Sequence, residues 1–347
     1  MIIGTARESY RADEALLKTR PQQVWMGILL AGLCALPFVF NTYWTYLACL
    51  VLINVIAATG LNVLTGFTGL VSLGHAAFMA IGAYAVAWAE RDFGTPLLLN
   101  LLAGGLLAAA VGVVVGLPSL RVKGLYLAIA TIAASFILHF VFVEWSSVTG
   151  GTAGITMQPG TVMGVPLTGY GQLYWLIMPI CVLMVTGAAN LFRNRIGRAF
   201  IAIRDRDISA EVLGIPILRY KLMSFALASF YAGIAGGLWA YFFRVVTPES
   251  FPLITSIFML AAVIVGGMGT ILGGVIGAIF MTLVPELLRF VVDFLGPVVP
   301  NAGLILSPVR TIVFGALIVG FLIFEPQGLA EIVHRVRRFF RLWPFRT

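Results

Sequence analysis

The sequence predicts an all-α integral membrane protein, a polytopic bundle of about ten transmembrane helices, and three observations carry that expectation. Hydrophobic residues make up 60% of the 347 and charged residues only 10%, against about 25% charged in soluble domains. Water is therefore not the main solvent for this surface. Apolar stretches of about 20 residues recur along most of the chain, the length that crosses a hydrocarbon core of about 30 Å at about 1.5 Å per residue. Lys and Arg fall between those stretches and not along one helical face. The net charge of +8 then reads as a topology signal at a lipid bilayer, not as a phosphate-binding stripe, and nucleic acid is not an expected partner.

The elements follow in order. Residues 1–23 are polar and mixed in charge, a poor targeting peptide, and are expected as a cytoplasmic tail before an uncleaved first span. The transmembrane domain covers 24–325, with spans at 24–41, 44–64, 70–89, 97–117, 122–144, 171–192, 221–243, 253–266, 270–292 and 308–325. The third opens in a glycine-rich run and the eighth is short, which makes both candidates for broken or re-entrant helices. Between the fifth and sixth spans, residues 145–170 are rich in Gly, Thr and Ser and fall outside. Between the sixth and seventh, 193–220 is charged yet keeps Ile201, Ile208, Val212 and Ile215 at helical spacing. That segment reads as short cytoplasmic helices whose apolar face asks for a protein partner. Residues 326–347 form a basic cytoplasmic tail.

Cytoplasmic loops attract Lys and Arg, which tests the span count independently. With the N-terminus inside, eighteen of the 22 basic residues face the cytoplasm. They are Arg7, Arg11, Lys18 and Arg20; Arg121 and Lys123; the cluster Arg193, Arg195, Arg198, Arg204, Arg206, Arg219 and Lys221; and Arg335, Arg337, Arg338, Arg341 and Arg346. Only Arg91, Arg244, Arg289 and Arg310 remain outside. Ten crossings with both termini inside satisfy this split.

Little in the chain points to catalysis. There is no G-x-x-x-x-G-K-[ST] phosphate loop, so any ATP used is hydrolysed on other polypeptides. Cys34, Cys49 and Cys181 lie in apolar runs without C-x-x-C spacing and read as core, implying neither disulfide nor metal. His75, His139 and His334 are far apart in sequence. Among them His75 stands out, beside Ser72 and Gly74 at membrane depth, where polar residues are costly and often functional. Glu90, Asp92, Glu144, Glu249, Glu286 and Asp293 fall near the outer ends of spans, whereas a proton-coupled carrier would bury a carboxylate near the midplane. The halves also echo one another: GFTGLVSLG (66–74) punctuates the second and third spans, GGMGTILGGVIG (266–277) the eighth and ninth. Paired interruptions of this kind mark substrate paths in transporters.

From GLNVLTGFTGLVSLGHAAFMAIGAYAVA (60–87) onward, the sequence resembles the LivM and LivH type permeases of branched-chain amino acid ABC importers. The likeness continues through LRVKGLYLAIATIAASFIL (120–138), TGGTAGI (149–155), the run 196–240, TPESF (247–251), GGMGTILGGVIGA (266–278) and FEPQGL (324–329). It covers most of the chain after residue 50, and GLYLAI with TGGTAGI is more like the LivM branch. The resemblance implies an ABC importer permease fold in a bacterial inner membrane, without cofactor or metal. It also implies as partners a second, homologous LivH-like permease, two cytoplasmic ATPases and a periplasmic or extracellular substrate-binding protein. In that scheme Gly197, Arg198, Ala210, Glu211 and Gly214 belong to the ATPase-facing coupling element. Thr65, Gly66, Ser72, Gly74 and His75 are candidates to line the substrate path, with Gly266, Gly267 and Gly269 opposite. The implied cargo is leucine, isoleucine or valine; urea, amides or aromatic acids on the same architecture, and an ion-coupled carrier acting alone, stay open at this point.

Overall fold

The computed structural model of the chain describes residues 20–119, 124–162, 165–295 and, with short gaps, 312–342. Its helices are α1 (Arg20–Val39), α2 (Thr42–Asn62, prolonged by a π-helical turn at Val63–Phe67), α3 (His75–Phe93), α4 (Leu97–Ser119), α5 (Leu125–Glu144) and α6 (Tyr170–Arg193). Then come two short helices, α7 (Arg195–Asp205) and α8 (Asp207–Val212), followed by α9 (Ile217–Phe243), α10 (Leu253–Gly266), α11 (Ile271–Leu295) and α12 (Leu329–Leu342). Among the described residues, seven helical segments are long and apolar enough to cross a bilayer, and α1 adds a shorter apolar helix over Val24–Val39. The protein is a multi-pass helical membrane protein.

Nine of the ten expected spans coincide with a described helix. The tenth falls partly outside the described residues, where 312–316 and 318–320 are helical. Also outside lie the tail 1–19, Arg121, Lys123, Arg310 and 343–347, together with the side chains of Arg20, Asp293, His334, Arg337, Arg338 and Arg341. The third span differs from expectation. Residues 68–74 are not helical, and α3 starts only at His75. The cause is local: the π-turn widens and underwinds the end of α2, Gly69 takes a left-handed φ of 75°, and the chain turns back before a new helix nucleates.

With its π-turn, α2 is the most buried of the seven candidate spans, as expected for a helix apolar on every side. It packs against α6, α9 and α11, while α9 packs against α4 and α3. Small residues set the spacing. A Cβ at Gly236 of α9 would stand 1.9 Å from the Met79 carbonyl of α3, and one at Gly82 of α3 would stand 2.1 Å from the Gly233 carbonyl. Backbones approach this closely only without side chains, which is how helices associate where lipid offers no hydrophobic drive. Cys49 and Cys181 lie in the same core, with Cys34 packed on its edge.

The 145–170 segment folds as a cap at the end of the bundle away from α7 and α8. Its strand β1 (Ile155–Thr156) pairs antiparallel with β4 (Val245–Val246), and β2 (Thr161–Val162) pairs with β3 (Val165–Pro166). Arg244 ends α9 in a left-handed conformation at φ 59° and donates from Nη2 to the carbonyls of Leu167 and Thr168. At the same end the Glu90 carboxylate accepts from Asn100 Nδ2 and Tyr241 Oη, tying α3, α4 and α9 together.

Candidate functional site

The segment between α6 and α9 divides into an anchored helix and a presented one. On α7, Phe200 is fully buried and packs with Val63 and Phe67 of the π-turn, while Gly197, Ala199 and Ile203 also face inward. Gly197 is needed for space, since a Cβ there would lie 2.3 Å from Phe192 Cα. Arg198 is exposed and donates to the Arg193 carbonyl. On α8 only Ala210 is buried, while Ile208, Val212 and Leu213 are 72%, 83% and 78% exposed. Glu211 is exposed beside them, and Gly214 turns the chain at φ 83° with open space around it. The expected apolar face is thus split: Ile201 and Ile215 are half-buried, whereas Ile208 and Val212 point to solvent. Asp207 and Lys221 approach to 3.9 Å, linking α8 to the start of α9.

The eight candidate path residues fall into two groups. Gly66 and Gly269, two hundred positions apart, touch: a Cβ on Gly66 would meet Gly269 N at 2.4 Å. Asn62 clasps this junction from α2, donating from Nδ2 to the Thr270 carbonyl at 2.7 Å and accepting from Gly269 N at 3.0 Å. Arg204 closes it from α7 by donating from Nη1 to the Gly66 carbonyl at 3.0 Å. Thr65 is buried alongside, its hydroxyl on the Leu70 carbonyl. Gly266 packs on Gly273, and Gly267, at φ 117°, lies under Gly328 of the FEPQGL run. Neither Asn62 nor Arg204 is marked out by sequence pattern. Asn62 is one amide in an apolar run, and Arg204 reads as one of seven clustered charges.

The second group sits at the start of α3, within the bundle. His75 is 1% exposed and its Nε2 lies 2.9 Å from the Ala57 carbonyl of α2. Two neighbouring helices cap this buried helix start: Ser256 Oγ of α10 accepts from Ala76 N at 2.9 Å, and Thr131 Oγ1 of α5 accepts from Leu73 N at 3.0 Å. Buried helix ends need such partners where water cannot reach. Ser72 is buried beside its own turn, with Gly74 against the Thr131 carbonyl. Above this start lies a cavity of about 190 Å³ between α3, α5 and the 248–256 stretch, lined by Ser135, His139, Phe142, Glu249, Phe251 and Ser256. No sequence pattern joins His139 to Glu249.

Residues 43–322 match the family described as the permease component of branched-chain amino acid transport systems. The chain is 32% identical over 335 residues to the high-affinity branched-chain amino acid transport system permease protein LivM of Escherichia coli K12, covering 90% of this chain and 75% of that one. It is 24% identical both to a probable branched-chain amino acid transport permease protein LivM and to its LivH counterpart from Methanocaldococcus jannaschii, covering 79% and 80% of this chain and 89% and 88% of theirs.

Proposed function

The chain belongs to the family of branched-chain amino acid transport permeases, as a LivM-type member, and from that membership we propose that it carries leucine, isoleucine and valine inward by alternating access. It is a transporter subunit of an ABC importer and not an enzyme. Membership does not favour an ion-coupled carrier acting alone, nor urea, amides or aromatic acids as cargo. Similarity to both LivM and LivH proteins supports pairing with a second permease. On this reading two ATPases dock on the side of α8, a binding protein delivers cargo to the 145–170 cap, and residues 24–325 form the membrane domain. The 1–23 and 326–347 tails are cytoplasmic.

The observation that carries the proposal is the division of labour between α7 and α8. Exposed Ile208, Val212 and Leu213 offer an ATPase an apolar foothold, with Glu211 beside it and Gly214 allowing the turn behind it. Anchored α7 carries any displacement inward, through Gly197 and Phe200 packing and through Arg204 to Gly66. Ala210 and Arg198 hold the two helices on the bundle. The path set then divides by role. Thr65, Gly66, Gly266, Gly267 and Gly269 form a junction that moves with α7, and Ser72, Gly74 and His75 fix the α3 start below the cavity.

A ligand screen of the cognate binding protein by thermal shift tests the cargo. Stabilisation by leucine, isoleucine and valine, with none by urea or aromatic acids, is the expected result. Stabilisation by urea or an amide alone would overturn the cargo assignment.

A further inference from the structure

Among the described residues, the side chains of His139 and Glu249 have no hydrogen-bond or ion-pair partner, yet both line the one cavity above the start of α3. Glu249 is exposed and His139 half-buried, and ionisable groups of a membrane domain that face a cavity mark solute pathways. The remaining lining is also divided by chemistry. Ser135 supplies a hydroxyl; Phe142 and Phe251, both under 10% exposed, and exposed Phe136 supply an aromatic wall; Ala76, Ala77 and Ala80 on α3 leave the space empty.

We infer that this cavity is a transit site for a zwitterionic, aliphatic α-amino acid, with Glu249 receiving the ammonium group, His139 receiving the carboxylate, and Phe136, Phe142 and Phe251 receiving the side chain. The inference deepens the proposed function and rests on it for the cargo class. The imidazole meets the carboxylate in its donor form. Ser256 is wholly buried and caps Ala76 N, so it stands behind the cavity wall. The Ala76 amide itself is taken, so the helix start contributes its dipole and not a free N–H. Size agrees with the assignment. An enclosed cavity of about 150 Å³ holds benzene, so about 190 Å³ in a partly open cavity has room for a solute the size of valine or leucine.

The test uses the complete transporter in proteoliposomes with its binding protein and a leucine analogue bearing a photoreactive diazirine in the side chain. Turnover under illumination, followed by peptide mapping, should label this chain on the peptides carrying Phe136, Phe142 or Phe251, and excess leucine should suppress the label. Glu249→Gln should lower leucine uptake at least tenfold while ATP hydrolysis and subunit assembly stay at wild-type levels, and Glu249→Asp should recover part of the loss. If wild type imports leucine while the label falls elsewhere or Glu249→Gln imports normally, the site is wrong and the proposed function stands. If loss of uptake in Glu249→Gln is matched by loss of assembly, and Glu249→Asp recovers nothing, the residue is structural and the site is again wrong. Failure of wild type to import any branched-chain amino acid would overturn the cargo reading and the site with it.

Discussion

Replacing Asn62 by alanine tests the junction that joins the two glycine runs. Asn62 is 1% exposed, and both its bonds go to one turn, to the Thr270 carbonyl and from Gly269 N. Asn62→Ala removes the two bonds and orphans Gly269 N, whereas the Thr270 carbonyl keeps the Gly274 N–H. Interhelical side-chain hydrogen bonds in membrane proteins average about 0.6 kcal/mol, with a maximum of about 1.7. A buried group left without a partner costs about 1–3 kcal/mol. With one orphan on a half-buried turn, the loss should lie at about 1–3 kcal/mol. Asn62→Asp keeps the acceptor for Gly269 N but sets a carboxylate against the Thr270 carbonyl, and should be no better than alanine. A Cβ at Gly66 would stand 1.9 Å from Asn62 Oδ1, so Gly66→Ala displaces the same clasp from the other side. The double variant should then lose clearly less than the sum of the singles. Unfolding of the purified protein in mixed micelles with a denaturing detergent reads all four. A loss below about 0.5 kcal/mol for Asn62→Ala, or strict additivity with Gly66→Ala, would refute the clasp.

Other outcomes follow from the same geometry. Arg204→Ala should leave the ATPases bound and hydrolysing while leucine uptake falls by about tenfold, since it cuts the contact to Gly66 from a helix anchored through Phe200; proportional loss of hydrolysis and uptake would contradict a coupling role. Ile208, Val212 and Leu213 are largely exposed, and half-burial of three such side chains is worth about 2–4 kcal/mol, so changing all three to serine should weaken ATPase binding by about 30- to 1,000-fold. Pull-down titration of the ATPases onto the solubilised permease measures it, and unchanged binding places the dock elsewhere. Gly236→Val drives a side chain into the Met79 carbonyl and should cost at least about 1–3 kcal/mol, read by the same detergent unfolding.

The span pattern was legible because the bilayer enforces it: any helix crossing lipid must be long and apolar, and α2, α4, α5, α6, α9 and α11 are each close to their expected bounds. Gly69 and Gly74 announced a broken third span, although not that α3 would begin as late as His75. The path residues were flagged one by one, but their division was not. Contact between Gly66 and Gly269 depends on how α2 and the α10–α11 turn meet, which no local pattern encodes. Arg204 was counted as a topology charge, yet it reaches a backbone carbonyl inside the bundle. His139 and Glu249 are separated by more than a hundred positions, and only the approach of α5 to the 248–256 stretch brings them to one cavity. Conversely His75, conspicuous in sequence, is occupied by the Ala57 carbonyl. Burial selected it for holding α3 to α2.

The central claim, a permease driven by ATP hydrolysed on other subunits, is tested most directly by leucine uptake into proteoliposomes. Accumulation should require ATP inside reach of the ATPases, the second permease and the binding protein, and should persist when ionophores collapse proton and sodium gradients. Uptake by this chain alone, driven by an ion gradient and indifferent to ATP, would contradict the account.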